Sequence, residues 1–297
     1  MYRDHDKECD ECPAEGDREG LHMNLRLQGK RALMTGVSPD IGDGVAKTLA
    51  GEGASVVLNG PAPHVNRIAQ DITADGGRAA VAIGDIGTDE GAEHVADRAM
   101  VLYGGVEILI HQPAVFPEHG WLRSTPKEWL DIYDKNVVAF VRLVRFLVPQ
   151  MRDRGWGRLI QISGAVGAGP HVSVPNVVAT QAANVNLTLT LTRELALSGI
   201  TVNTISPGPV ITQASETVWR DLAERRGWDT DWKSLEQRLC REVLYSPSGR
   251  LGRVDDVANL VAFIASPLAD FINGANLRID GGLIAAAKHL SLREIPI

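Results

Sequence analysis

Short apolar runs alternate with longer amphipathic stretches along most of the chain. Runs of this length predict buried strands, and stretches of ten or more residues between them predict helices. The runs are RALMTG from Arg31, SVVLNG from Ser55, AAVAIGD from Ala79, EILIHQ from Glu107, RLIQIS from Arg158, ITVNTIS from Ile200 and NLRIDGG from Asn276.

The intervening stretches carry helical periodicity. Helices are predicted over 40–52, 64–75, 89–102, 128–152, 175–197 and 254–264, and a long polar loop over 213–248. Strands that alternate with helices form βαβ units, whose parallel sheet is covered on both faces. Right-handed crossovers then favour a single doubly wound sheet, the Rossmann fold of the α/β class.

Charge and hydropathy exclude some partners. The net charge of −7 argues against nucleic acid or an anionic membrane surface, because both attract a basic face. The sequence has no apolar run long enough to span a membrane and no signal-peptide core at its start. A cytoplasmic protein is therefore expected.

The first residues form a polar arm, predicted over 1–27. It contains His5, Cys9 and Cys12 in the spacing HxxxCxxC. A zinc site needs four ligands, or three and a water. An inert arm is favoured over a metal site or a redox pair, so no metal is predicted.

Several motifs follow the predicted strands in a fixed order: TGVSPDIG from Thr35, GDI from Gly84, NVVAFVRL from Asn136, ISG from Ile162, SPGPVIT from Ser206 and GRLGRVDDVA from Gly249. In this order and spacing the chain resembles the short-chain dehydrogenase/reductase family over about residues 28–283. The resemblance makes 28–283 a single Rossmann-type domain, 213–248 its variable substrate lid and 284–297 a tail.

The resemblance implies a site for NAD or NADP at the carboxyl ends of the strands, where ligands bind in open α/β sheets. The residues it implicates in cofactor binding are Thr35, Gly36, Ser38, Asp40, Ile41, Gly42, Asn59, Asp85, Ile86, Pro207, Gly208, Val210 and Thr212. The choice between the two nucleotides stays open, because Asn59 is followed by neither an acid nor an arginine.

Asp40 stands where the family's phosphate loop has its middle glycine. One interpretation is a working phosphate cradle; the other is a helix start whose free N–H groups are capped by the Asp40 carboxylate itself. Asp85 has two interpretations as well: a contact beside the adenine, or the N-cap of the next helix. His111 to Ala114 read HQPA where the family has small amide-bearing residues.

The catalytic residues depart most from the family. Ser163 and Asn136 match its substrate-binding Ser and its Asn, but Val177 and Gln181 stand where a Tyr and a Lys are expected. No Tyr occurs between Tyr133 and Tyr245. Valine cannot transfer a proton and glutamine does not titrate, so the family's general acid–base help is lost.

Three side chains are the alternative candidates for chemistry. Ser163 can position a substrate oxygen or simply satisfy backbone groups at a strand end. His111 and His171 can act as bases near neutral pH, or they are, respectively, a packed and a solvent-exposed histidine.

Three functions stay open: an NAD(P)-dependent oxidoreductase with an atypical proton relay; a non-redox lyase, isomerase or dehydratase that uses Ser163 and a histidine; and a catalytically silent subunit. The ligand is a small molecule, bulky or aromatic if Trp219, Trp228 and Trp232 line its site rather than pack the lid. The family resemblance implies a homodimer through 128–152 and 175–197, or a homotetramer.

Overall fold

A computed structural model describes residues 23–113, 120–164 and 174–283. Its seven strands form one sheet in the order β3-β2-β1-β4-β5-β6-β7, and every neighbouring pair is parallel. The strands are β1 (Arg31–Thr35), β2 (Ser55–Asn59), β3 (Arg78–Val81), β4 (Ile108–His111), β5 (Gly157–Ile162), β6 (Ile200–Pro207) and β7 (Asn276–Ile279). The predicted doubly wound sheet is confirmed.

Helices cover both faces of this sheet. They are α1 (Ile41–Gly51), α2 (Ala62–Ala74), α3 (Asp89–Tyr103), α4 (Gly120–Arg123), α5 (Pro126–Tyr133), α6 (Ala139–Arg154), α7 (Pro175–Glu194), α8 (Gln213–Arg225), α9 (Trp232–Arg238) and α10 (Val254–Ala265). On one face α1, α2 and α10 bury Val45, Ile68 and Val261 in one apolar core. On the other, α3 and α6 bury Val95 and Leu143 in a second. No helix in the described ranges is long and apolar enough to cross a membrane.

The backbone is helical throughout the predicted range 128–152, but its hydrogen-bond pattern changes midway. A π-helical turn, Asp134–Val138, separates α5 from α6. The carbonyl of Asn136 in this turn accepts a hydrogen bond from Asn184 Nδ2 on α7 at 2.9 Å. A contact from a neighbouring helix thus holds the wider turn, and the local sequence contains no helix breaker that would predict it.

The prediction of a polar loop over 213–248 was wrong. This lid contains α8, α9 and a second π-helical turn, Leu239–Val243. Its residues Ala223, Leu235, Leu239 and Cys240 form an apolar core together with Leu251, which follows the lid. Both helices are capped by side chains that precede them, Thr212 for α8 and Asp231 for α9.

The position of the site follows from the strand order. The chain builds outwards from β1 to β3 and then crosses to β4 on the other side of β1. Such a reversal leaves a crevice at the carboxyl ends of the two central strands. Thr35, at the end of β1, is in register with Asn59 on β2 and with His111 on β4.

Candidate functional site

The loop that follows β1 is held in place by the neighbouring strands. The Val37 N–H donates to the Asn59 carbonyl at 3.1 Å, and Gln112 Nε2 donates to Ser38 Oγ at 3.0 Å. Gly36 has a φ of 70°, and a Cβ there would lie 1.8 Å from the Gln112 carbonyl oxygen. Only glycine fits this close approach. The loop is therefore preformed by contacts within the protein.

The start of α1 has no side-chain cap. Asp40 occupies the N-cap position with φ 70° and ψ −88°, and its carboxylate makes no hydrogen bond to its own helix. The interpretation that Asp40 caps α1 was therefore wrong. Its Oδ2 instead accepts the backbone N–H of Gln213, the first residue of α8, at 3.3 Å. Ile41 and Gly42 form the first turn of α1, where Gly42 packs against Val37.

Asn59 and Asp85 take different positions at the outer end of the crevice. The Asn59 side chain is buried, and its Nδ2 donates to the carbonyls of Ala82 and Gly84 at 2.9 and 3.0 Å, so this amide joins β2 to the end of β3. Asp85 is exposed and accepts the N–H of Gly87 at 2.9 Å in a local turn. Thr88, not Asp85, caps α3, so the N-cap interpretation of Asp85 was wrong. Ile86 is half-buried against the second core.

The turn from Pro207 to Thr212 is fixed from two sides. The Gly208 N–H donates to the Ile279 carbonyl of β7 at 3.0 Å. Val210 forms a short parallel bridge with Gly252, and the Thr212 hydroxyl accepts the N–H of Ser215 at 3.1 Å as the cap of α8. The turn thus connects the central sheet to the lid in a defined geometry.

His111 lies inside the protein rather than in the crevice. It is 1 % exposed, its Nδ1 is 2.8 Å from Thr35 Oγ1, and its ring packs against Phe140. Burial lowers the pKa of His111 to about 4, and a hydrogen bond with the Asn136 backbone opposes this shift only in part. The imidazole is therefore neutral at neutral pH, and its surroundings match the packed interpretation.

The face of α7 turned towards the sheet is polar but carries no charge. Val177, Thr180, Gln181 and Asn184 are all buried. Thr180 Oγ1 accepts from Asn136 Nδ2 at 3.3 Å and donates to the Val177 carbonyl at 2.7 Å. Neutral amides and hydroxyls therefore bind one another along this face.

Ser163 and Gly164 follow β5 and have different surroundings. The Ser163 N–H donates to the Ile205 carbonyl at 2.8 Å, whereas its Oγ is buried and has no hydrogen-bond partner among the residues that the structure describes. A Cβ on Gly164 would lie 2.7 Å from Gln181 Nε2. Position 164, not 163, therefore faces Gln181. His171 lies outside the described residues, as do Ala114, the arm with Cys9 and Cys12, and the tail.

Sequence reasoning missed two residues of the crevice. Gln112 lies within HQPA, and its side chain donates to Ser38 while its backbone packs against Gly36. Gly164, next to Ser163, faces Gln181. A long polar side chain directly after a buried strand was the available signal for Gln112; nothing in the sequence distinguished Gly164. Within the described ranges no three His, Cys, Asp or Glu side chains cluster as metal ligands.

The lid tryptophans pack within the lid. Trp219, Trp228 and Trp232 contact its apolar core. Trp228 also lies beneath the guanidinium groups of Arg226 and Arg238, at 5.0 and 4.5 Å from the ring centroid. These contacts favour the packing interpretation of the tryptophans over that of a ligand-lined mouth.

A doubly wound parallel sheet with a glycine loop at its switch point defines a Rossmann-type α/β domain. The family model described as enoyl-(acyl carrier protein) reductase matches residues 36–284. The chain belongs to the short-chain dehydrogenase/reductase family, as its motif order predicted.

Curated relatives and solved structures agree with this assignment. The chain is 32 % identical over 266 residues to the uncharacterized oxidoreductase YvaG of Bacillus subtilis, covering 88 % of this chain and 98 % of the relative. It is 30 % identical to the 3-oxoacyl-[acyl-carrier-protein] reductase FabG of Vibrio cholerae, covering 87 % and 99 %. L-sorbose reductase from Gluconobacter frateurii, complexed with NADPH and L-sorbose, superposes with a TM-score of 0.81 at 29 % identity, covering 88 % and 99 %. A 7α-hydroxysteroid dehydrogenase complexed with NADH superposes with a TM-score of 0.75 at 29 % identity, covering 87 % and 96 %.

Proposed function

We propose that this chain is an NAD(P)-dependent oxidoreductase that reduces or oxidises a small-molecule substrate without the family's Tyr–Lys proton relay. The observation that carries the proposal is the preformed loop at the switch point, which ends at a helix start without a side-chain cap. Related structures of the same fold contain NADPH or NADH. The relatives named above are oxidoreductases.

The residues of the crevice fit a dinucleotide. Free N–H groups at a helix start bind phosphate, and the first turn of α1 at Ile41 and Gly42 provides such groups where the Gly36 loop lets the backbone approach closely. The family resemblance assigns the turn from Pro207 to Thr212 to the nicotinamide half and Asp85 to the adenine half, and we carry both assignments into the proposal. A bound nicotinamide supplies or accepts the hydride.

Proton transfer is where this chain departs from its family. The Val177 side chain has no titratable proton, and the Gln181 amide donates hydrogen bonds but does not ionise. His111 is buried and neutral, with a pKa of about 4, so at pH 7 it is not the imidazolium that would act as a general acid. We therefore propose that the substrate oxygen exchanges its proton with water, and that Asn136 and Gln181 contribute hydrogen bonds only.

The non-redox alternative has less support within the described residues. It needs a base near Ser163, and His111 does not qualify because it is buried and neutral. His171, the other candidate histidine, lies outside the described residues.

The face formed by α6 and α7 supports an oligomer. Val141 and Leu189 are 40 % and 49 % exposed. Beside Val141, a groove of about 340 Å³ is lined by apolar side chains that include Val144, Leu187 and Leu191. Large exposed apolar patches mark association surfaces. We propose that two copies of the chain pair through this α6–α7 face, as a homodimer or within a homotetramer.

Titration of the purified protein with NADH and with NADPH tests the proposal directly. We expect binding with a dissociation constant in the micromolar range, read by calorimetry and by the tryptophan fluorescence of the protein. The nucleotide that binds more tightly also decides the preference that Asn59 and its neighbours leave open. Absence of binding at millimolar concentrations of both nucleotides would rule out the oxidoreductase.

A further inference from the structure

Asp40 has a backbone conformation that is unfavourable for a residue with a side chain. Its φ of 70° and ψ of −88° lie near the rare, strained γ-turn with positive φ. Glycine would adopt these angles at much lower cost. A strained residue persists only where its surroundings hold it, and such residues cluster at sites of function.

The Asp40 carboxylate contacts the first residue of the lid. Asp40 Oδ2 accepts the N–H of Gln213, which lies 173 positions further along the chain. Thr212 and Ser215 cap each other at this helix start, through bonds of 2.8 and 3.1 Å. The Asp40 carboxylate therefore lies at the partly positive end of α8, where an anion is stabilised.

The packing of the lid differs from that of the sheet. Its helices pack around a core that is separate from the two cores of the sheet. A second attachment lies at the far end of the lid, where Glu236 binds Arg253 at 2.8 and 2.9 Å and accepts the Leu251 N–H. Asp40 is thus an attachment of the lid to the phosphate loop.

We propose that Asp40 is a latch that ties the phosphate loop to the lid in the nucleotide-free protein, and that the pyrophosphate of the nucleotide displaces it. The second half rests on the proposed function. A pyrophosphate bound at the start of α1 would bring negative charge towards the Asp40 carboxylate, and like charges repel. Binding therefore breaks the bond to Gln213, which lowers nucleotide affinity and couples nucleotide arrival to release of α8.

Two substitutions break the latch from its two ends. Asp40→Gly removes the carboxylate and relieves the backbone strain. Gln213→Pro removes the N–H donor while leaving α8 intact, because proline is well tolerated at the first position of a helix. Thr212, with φ −128° and ψ 162°, already has the extended conformation that a following proline requires.

The matched control is Asp43→Asn. It removes an equal charge from the first turn of α1, but Asp43 does not contact the lid. Its carboxylate binds His64 Nε2 at 2.7 Å and the Arg67 guanidinium at 3.3 Å. Any effect of charge near α1 alone appears in this variant as well.

Hydrogen exchange of the nucleotide-free protein decides whether the latch exists. We expect the amides of α8 to exchange about tenfold faster in Asp40→Gly and in Gln213→Pro than in the parent chain. The double variant should be no faster than either single one, because both remove the same bond. Unchanged exchange in Asp40→Gly, or an equal increase in Asp43→Asn, overturns the latch.

Nucleotide titration decides the competition. Asp40→Gly should bind NADH about tenfold more tightly than the parent chain, because the nucleotide no longer has to break the hydrogen bond between Asp40 and Gln213. Asp43→Asn should stay within about twofold of the parent. Equal or weaker binding by Asp40→Gly overturns the competition. If the parent and every variant fail to bind, the proposed function fails and the competition with it, whereas the exchange experiment, done without nucleotide, still decides the latch.

Discussion

At the scale of single residues, burial determines which side chains of the crevice can take part in acid–base chemistry. His111 titrates near neutrality in water, yet between β1 and the Phe140 ring it is the neutral imidazole that is favoured. Its contact with Thr35 Oγ1 couples the two central strands at the point where the loop after β1 begins. His111 therefore has a structural role: it stabilises the strands on which the candidate site is built.

The depressed pKa of His111 predicts an acid-dependent loss of stability. The folded pKa of about 4 lies below the ordinary 6.5, so the unfolded chain binds the proton more strongly. Stability from this group is complete above pH 6.5 and falls as the pH drops towards 4. Linkage gives a loss of about 2 kcal/mol by pH 5.

Urea unfolding at pH 7 and pH 5 measures this loss. The drop between the two pH values should be about 2 kcal/mol smaller in His111→Asn than in the parent chain. Phe140→Leu is the control, because it loosens the packing around the ring but keeps the imidazole. An identical loss of unfolding free energy in His111→Asn and in the parent would show that His111 does not take up a proton on unfolding.

Val177 and Gln181 are the residues at which the proposed loss of the proton relay can be tested. Val177→Tyr together with Gln181→Lys should raise carbonyl reduction by about 10²-fold or more, the usual contribution of a positioned general acid. Val177→Phe with Gln181→Met is the control of similar size that cannot transfer a proton. The measurement is NADPH- or NADH-dependent reduction of a panel of ketones.

The outcome bears on these two positions alone. If nucleotide binds and the Tyr–Lys variant gains no more carbonyl-reducing activity than the Phe–Met variant, the absence of Tyr and Lys at positions 177 and 181 is not what limits carbonyl reduction. Adding Gly164→Ser then tests the next position, since a side chain there would face residue 181.

At the scale of secondary-structure elements, those set by the local sequence pattern could be predicted, whereas those that depend on tertiary contacts could not. The seven strands and most helices were predictable because buried parallel strands are continuous apolar runs. The π-helical turn at Asn136 was not, since it depends on Asn184 from another helix. The lid helices were missed because their many charged residues obscured the few apolar ones, such as Leu235 and Leu239, that form the lid core.

The same division applies to the candidate site. Its glycine loop and the turn from Pro207 were readable because each needs particular residues in a fixed local order. The hydrogen bond between Gln112 and Ser38 joins residues 74 positions apart, and the bond from Asp40 to Gln213 spans 173. Contacts of this range depend on the packing of the whole sheet, and a single sequence has no local signal for them.

Attachment of the lid through Glu236 gives a prediction at this scale. Burial tends to raise the pKa of Glu236, but hydrogen bonds from Arg253 and Leu251 outweigh it and hold the pKa below its ordinary value. Glu236→Gln should weaken docking of the lid by about 1–2 kcal/mol, because bonds to a charged group are lost. Hydrogen exchange over 213–244 should accelerate accordingly.

Glu242→Gln is the matched control for this variant. Its partner Arg238 lies one helical turn away on an exposed surface, where an ion pair contributes little. Global unfolding by urea should be nearly unchanged in both variants, because the lid core is separate from the two cores of the sheet. Equal exchange in Glu236→Gln and Glu242→Gln would show that the Arg253 pair does not hold the lid.

At the scale of the whole molecule, helix α7 contributes to both the α6–α7 face and the crevice. The buried side of α7 carries Gln181 and Asn184, while its outer side carries Leu187 and Leu191. A partner on the outer side would therefore stabilise the helix that places Gln181. Pairing of two chains would support the site without contributing a residue to it.

Val141→Glu tests this pairing. Val141 is 40 % exposed on α6, and in a two-fold interface the substitution buries two carboxylates at once, each costly to desolvate. We expect the dissociation constant of the dimer to rise at least about tenfold, measured by sedimentation across a range of concentrations. Val101→Glu is the control, because Val101 is 76 % exposed on α3, outside this face. If the parent chain is monomeric, or if both variants dissociate alike, the α6–α7 face is not the interface. If only Val141→Glu dissociates, its affinity for the nucleotide should fall as well, because the partner no longer packs against the outer side of α7.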